Sequence, residues 1–283
     1  MSPRTPAKPL LVLDGDSFTH RAYHALPKSM RRADGGPANA LIGFTNMLLR
    51  LWQDEKPRAV LVAWDTLDVP TYRHEALDLY QAGRVFDSEL LEQLDLLPAL
   101  VASAGLAYAK EPGYEADDFL AAAAVREEDQ GGTALVATSD RDAFQLVTEH
   151  VTVLQPVRGG SPARVDPAEV RLRYGVDPAQ VADFIALRGD PSDRIPGARG
   201  IGEKRAAELL AQYGTLDAML EAGRFSTEAD ALQLYRRIAT MDREAPLPAL
   251  PDMTPDWQAA AAHATDLGVS GVARRFEEAL GWT

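Results

Sequence analysis

Cysteine is absent from this chain of 283 residues, which excludes a disulfide framework, a thiolate metal site and a thiol nucleophile. The compartment this suggests is the cytoplasm. Histidine is scarce, and the five present stand apart, without the HxxxH or HExxH spacing of a zinc site. No apolar run reaches the roughly 18 residues that a membrane span needs. The opening MSPRTPAKPLLVLDG offers only Leu10–Leu13, too short for the apolar core of a signal peptide. What is present is ordinary for a packed protein: 46% hydrophobic residues, in a length that fits one large domain or a core with an appendage.

Positive charge is in deficit, at a net −13. Taken as a sum, that disfavours nucleic acid, because domains that bind it are usually basic. The distribution is uneven, however. Residues 1–58 hold nine Lys/Arg against five Asp/Glu, and residues 188–205 hold five (Arg188, Arg194, Arg199, Lys204, Arg205) against three. Many of the acids elsewhere fall into motifs that look like metal ligands, and bound cations would offset them.

Leu10–Leu13, Ala59–Ala63, Ala134–Ala137 and Val151–Leu154 are short apolar runs bounded by polar residues, as buried parallel strands are. Amphipathic stretches at 38–53, 87–104 and 116–128 lie between them. Strands alternating with helices give an α/β sheet with right-handed crossovers. Beyond about residue 165 the pattern is helical: 167–174, 178–188, 203–212, 215–222, 228–239 and 270–280. The expected division is an α/β domain over 1–165 and a helical subdomain over 166–283.

Three expected strands end in acids: Asp14 after LLVL, Asp65 after AVLVAW, and Asp140 after ALVATS, with Asp142 two residues on. Ligands of open parallel sheets bind beyond the carboxyl ends of the strands. A single strand-end Asp serves equally well as a helix cap or turn former; three converge on one place. GYEADD adds Glu115, Asp117 and Asp118 at a helix start. One acid there complements the helix dipole, but three repel one another and raise each other's pKa. Hard oxygen ligands without Cys or His point to Mg²⁺ or Mn²⁺. Asp190 and Asp193, in LRGDPSDRIPG, are good turn chemistry and also candidates to complete the cluster. In IPGARGIGEKRAAELL, Gly197, Gly200 and Gly202 permit a tight interhelix turn whose following helix amides could hold a phosphate, with Arg199, Lys204 and Arg205 adding charge. An ordinary turn is the plain alternative.

LVLDGDSFTHRAYHAL, GFTNMLLRL, VAWD, TYRHEALDLYQAGR, PGYEADD, ATSDRDAFQL and LRGDPSDRIPGARGIGEKRAAELL together resemble the 5′–3′ exonuclease domain of bacterial DNA polymerase I and its flap endonuclease relatives, over almost the whole chain. The resemblance implies a PIN-like parallel sheet, a helical arch at about 66–96 that a single-stranded 5′ end threads, and a helix–three-turn–helix hairpin at 195–205 that holds duplex DNA and can carry K⁺. It implies structure-specific 5′–3′ exonuclease and 5′-flap endonuclease activity in replication or repair, by two-metal hydrolysis, in a free-standing monomer acting on DNA, with RNA primer strands as a further substrate left open. The metal ligands it implies are Asp14, Asp65, Glu115, Asp117, Asp118, Asp140, Asp142, Asp190 and Asp193. The phosphate contacts are Arg21, Arg73 and Arg84, and Tyr80 is an arch aromatic. One departure is Gln81, where the family carries lysine. Two alternatives compete. Asp14 and Asp16 make the Asp-x-Asp of a haloacid-dehalogenase-type phosphatase, which leaves EADD and the hairpin unexplained. A metal-depleted DNA-binding relative is opposed by the complete acid set.

Overall fold

The computed structural model of the chain describes residues 8–157 and 160–282; residues 1–7, part of the stretch read above for a leader, lie outside it. Its elements run β1 (Leu10–Asp14), α1 (Gly15–Ala25), α2 (Asn39–Glu55), β2 (Ala59–Ala63), α3 (Tyr72–Ala76), α4 (Ser88–Ser103), β3 (Ala107–Ala109), α5 (Ala116–Asp129), β4 (Ala134–Ala137), β5 (Val151–Gln155) and β6 (Ala163–Val165). The rest is helical: α6 (Pro167–Tyr174), α7 (Val181–Arg188), α8 (Glu203–Tyr213), α9 (Leu216–Glu221), α10 (Ala229–Ala239), α11 (Trp257–Asp266) and α12 (Ser270–Ala279).

Every residue of β1, β2 and β4 is buried, because the sheet is covered on both faces. Leu11, Leu13, Val60 and Val62 pack towards α2, α4, α11 and α12, while Leu10, Val12, Leu61 and Val136 pack towards α5 and α7. The strand order is β3-β2-β1-β4-β5-β6, parallel except for β5 with β6. Asp14 pairs with Ala63, and Leu13 with Ala137. Asp14, Asp65 and Asp140 therefore leave the same edge of the sheet. The order reverses between β1 and β4, and the crevice there is where such sheets bind ligands.

The α/β sheet and the helical region after it are as expected, and the differences are local. β3 has three residues, with Tyr108 exposed, and β6 is a three-residue antiparallel edge; neither is long enough to show a period. α1 was hidden by its polarity: Asp16 and Thr19 are buried on it. α11 is Ala-rich, with little contrast between its faces. Residues 257–279, counted above with the helical subdomain, return to cover α2 and α4, Trp257 stacking on Phe276 at 5.6 Å and meeting Trp52 at 5.9 Å. The expected helical arch at 66–96 is helical only in α3 and from Ser88 onward. Between them Gln81 and Gly83 have φ of 47° and 77°, which interrupts any helix, and the chain folds back as turns. Among the described residues no helix is long and apolar enough to cross a membrane.

Candidate active site

The crevice is a cavity of about 870 Å³. Asp14, Asp65, Glu115, Asp117, Asp140, Asp142, Asp190 and Asp193 all line it, as do Asp16 and, at the rim before α4, Asp87. The first eight come from the ends of β1, β2 and β4, the start of α5 and the loop after α7. The plain reading of several of them holds as well. Asp14 Oδ1 accepts the Ser17 amide at 2.9 Å and so caps α1. Asp65 accepts the Ala116 amide at 2.7 Å, Asp140 that of Asp142 at 2.8 Å, and Asp190 that of Ser192 at 2.7 Å. Each carboxylate oxygen has two lone pairs, so a cap can also be a ligand. Asp117 differs: its side chain makes no hydrogen bond among the described residues.

Desolvation and mutual repulsion set the electrostatics. Burial pushes Asp14 up to about 7, against the Thr138 and Ser17 hydrogen bonds that pull it down. Burial, then Asp140, Asp14 and Asp65, hold Asp117 well above the usual carboxylate range. Burial, then Asp140, Asp190 and Asp193, do the same to Asp142. A folded-state pKa above the unfolded value means that the native protein holds protons the unfolded chain has released, so stability falls as pH rises between the two values. In EDTA the melting temperature is therefore expected to drop between about pH 5 and pH 7.5, and Mg²⁺ should reduce the drop by competing with those protons. A flat or rising melting temperature in EDTA overturns this account of the acids.

The donor set suits a hard divalent cation: oxygen alone, in excess, and mutually repelling. Among the described residues no three acids are already gathered as a metal cage; like charges held on separate elements stand apart.

Three residues expected in the site are placed elsewhere. Arg73 does not reach the cavity. It is 3% exposed and forks onto Asp118 at 2.6 and 2.8 Å, with Nε donating to the Ile238 carbonyl at 3.0 Å. Asp118, fully buried, also accepts the amides of Glu115 and Asp242; it is a partner of Arg73 behind the cluster rather than a cavity acid. Arg21 lies half-buried on α1, away from the cavity lining.

The 77–86 turns close one side of the cavity. The Tyr80 hydroxyl donates to Glu115 at 2.9 Å, and Gln81 Nε2 donates to the Tyr80 oxygen at 2.9 Å and to Asp193 at 3.2 Å. Arg84 pairs with Asp193 at 2.8 Å. Gln81 thus holds a position where a cation would face the acids and any phosphate between them. Gln81→Lys is expected to raise the single-turnover cleavage rate about tenfold, or about 1.4 kcal/mol of barrier. An unchanged rate, with collapse in Arg84→Ala, would mean that Arg84 already fills the role.

In the hairpin, Gly197 has φ 75° and a Cβ there would lie 2.4 Å from the Gly189 nitrogen, so the close approach of the two arms requires glycine. Gly200, Gly202, Arg199, Lys204 and Arg205 are exposed. α8 starts at Gly202 with no side-chain cap, which leaves its first-turn amides open. Glu203 in that turn and the Arg205–Glu208 pair at 2.9 Å offset part of the positive charge.

Arg141 and Tyr174, which no sequence motif marks, also line the cavity, as does Arg188, which the sequence shows only as one cation of the 188–205 stretch; only the fold brings them there. Asp16 is the second acid of the Asp-x-Asp pattern. Asp16 accepts the Asp65 amide at 2.7 Å and so orients the end of β2.

Residues 9–175 match the family described as "5′–3′ exonuclease, N-terminal resolvase-like domain", and residues 176–260 match "5′–3′ exonuclease, C-terminal SAM fold". DNA polymerase I of Mycobacterium tuberculosis is 43% identical over 219 residues, 76% of this chain and 24% of that protein, so the chain spans about a quarter of the length of that relative. Among solved structures, T5 5′-exonuclease with bound zinc superposes with a TM-score of 0.68 at 17% identity, covering 96% of this chain and 98% of the other. The catalytic core of Rad2 in complex with a DNA substrate gives 0.65 at 14%, covering 98% and 93%. Together these matches and the acid-lined crevice place the chain in the 5′–3′ exonuclease family.

Proposed function

We propose that the chain is a metal-dependent 5′–3′ exonuclease and 5′-flap endonuclease of DNA. The observation that carries this is the convergence of eight carboxylates from five separate segments on one cavity, with Arg84 across from them. Asp14, Asp65, Glu115 and Asp117 would hold one cation, and Asp140, Asp142 and Asp193 a second, with Asp190 behind them; Mg²⁺ or Mn²⁺ is proposed, with K⁺ at the hairpin. Bound divalent cations supply acidity to the attacking water and offset charge on the leaving oxygen. The residues do the rest. Arg84 and Gln81 face the phosphate from the 77–86 turns, while Tyr80 and Thr71 orient Glu115 through its two oxygens, at 2.9 and 3.0 Å. The α8 amides with Arg199, Lys204 and Arg205 hold the duplex through its backbone, without reading bases.

The phosphatase alternative needs Asp14 free as a nucleophile. It would use Asp14 and Asp16 alone, and it leaves the convergence of Asp65, Glu115, Asp117, Asp140, Asp142, Asp190 and Asp193 on the same cavity without a purpose.

The test is an end-labelled 5′-flap duplex incubated with Mg²⁺, Mn²⁺ or EDTA. Cleavage near the flap junction in either metal and none in EDTA is expected; intact substrate in all three rejects the reading. Lys204→Ala with Arg205→Ala is expected to weaken binding equally for all sequences and to lower the slope of log K against log salt by about 1 to 2. An unchanged slope would make the hairpin only a turn.

A further inference from the structure

Another wall of the cavity is built from the residues after β4 and the ends of α6 and α7. It carries Arg141, Tyr174 and Arg188, and no role above uses them. Arg188 ends α7. Its guanidinium lies 5.6 Å from the centre of the Tyr174 ring and 5.2 Å from that of Phe184, and the two rings stack on each other at 5.0 Å. Its backbone is pinned from behind, because Gly197 approaches so closely that a Cβ there would lie 2.7 Å from the Arg188 carbonyl carbon.

Held this firmly, the guanidinium uses few of its donors. Among the described residues its one ion pair is a 3.4 Å contact with Asp190, at the long limit of a hydrogen bond, and its buried Nε has no acceptor. A guanidinium has five N–H donors in a fixed fork suited to phosphate. The buried Tyr174 hydroxyl likewise has no partner among the described residues, although buried polar groups are nearly always paired. The Arg141 side chain is exposed and makes no hydrogen bond or ion pair among the described residues. Arg141 lines the same cavity as Tyr174 and Arg188. Arg84 is the opposite case: it is already paired with Asp193 at 2.8 Å.

We infer that Arg188, seated on Tyr174 and Phe184 and joined by Arg141, forms a second phosphate-binding subsite in the crevice, which holds a backbone phosphate of the nucleic-acid strand beside the one that is cut. The inference rests on the reading of the crevice as a DNA phosphodiesterase site. A purely structural Arg188 would offset the charges of Asp142 and Asp190, and its loss would then change the demand for divalent cation and leave DNA affinity alone.

The experiment titrates a 5′-flap duplex in EDTA at several salt concentrations, for wild type, Arg188→Ala, Arg188→Lys and the double variant Arg141→Ala with Arg188→Ala, each first shown to melt cooperatively. Arg188→Ala is expected to weaken binding roughly three- to tenfold and to flatten the log K against log salt slope by about 0.7 to 0.9, the value of one phosphate contact. The double variant should flatten it about twice as far, and Arg188→Lys should keep much of the slope while losing affinity with the fork. Any change in the Mg²⁺ concentration that half-saturates cleavage should accompany, not replace, the loss of DNA affinity. Unchanged DNA affinity and slope in Arg188→Ala, or a shift only in the Mg²⁺ requirement, overturns the subsite while the nuclease reading stands. Wild type that neither binds nor cuts the flap duplex overturns both.

Discussion

Asp117→Asn and Asp142→Asn are each expected to slow single-turnover cleavage in Mg²⁺ by roughly a thousandfold or more, with flap-duplex affinity largely kept. Asparagine preserves shape and removes one charge, so the variants separate cation binding from packing. Asp117 is the cleaner case, since its side chain makes no hydrogen bond among the described residues and its removal breaks no cap. Its carboxyl is raised by burial and then by Asp140, Asp14 and Asp65. Asp142 is 8% exposed and faces Asp140, Asp190 and Asp193. The same repulsion yields a second readout of opposite sign. Deleting one of several crowded like charges relieves the metal-free protein, so both variants should melt higher than wild type in EDTA at neutral pH. Near-normal cleavage by both would sink the assignment of these acids to the metals. Lost cleavage with a lowered melting temperature would make them structural.

The sheet was legible because β1, β2 and β4 are buried on both faces, so each is a continuous apolar run followed within three residues by an acid. Ala59–Ala63 and Ala134–Ala137 have the same bounds in the sequence and the structure. Convergence of the strand-end acids followed from topology alone, because parallel strands end at one edge. What could not be read is set by tertiary contact. The Tyr80, Gln81 and Arg84 side chains bond to Glu115 and Asp193, far off in sequence, and the turn at Gln81 requires a positive φ that no motif in LYQAGR announces. The Tyr174–Arg188 wall joins residues that belong to different helices and carry no shared pattern. Asp118 misleads for a related reason: as an acid in the first turn of α5 it looks like its neighbour Asp117, but one residue rotates the side chain about 100° around the helix, from the cavity to the α10 side.

That rotation sets up the largest expected stability effect. Arg73→Ala is expected to destabilise the fold by about 3–5 kcal/mol and to lower the melting temperature by roughly 10 °C. Arg73 closes a fully satisfied cluster. Both ends of its fork reach Asp118, Nε reaches the Ile238 carbonyl, and one terminal nitrogen also donates to the Thr240 carbonyl at 3.2 Å. It therefore ties α3, and the turns beyond it, to α5 and to the end of α10. Alanine would leave the Asp118 carboxylate fully buried with only two backbone amides for company, and removing one partner of a buried pair costs far more than the pair itself contributes. Arg73→Lys should recover little, since an ammonium cannot fork onto two oxygens and reach two carbonyls at once. Removing both charges, Arg73→Leu with Asp118→Leu, should recover much of the stability, because no buried charge is then left unpaired. The contrast with a phosphate-contact role is direct. A clamp predicts a fall in melting temperature and denaturant midpoint without DNA present, and a flap-duplex affinity that is normal at temperatures where the variant is folded. A phosphate contact predicts an unchanged melting temperature and weakened, less salt-sensitive DNA binding. The second pattern would return Arg73 to the place the family resemblance gives it and would require α3 to open towards the cavity.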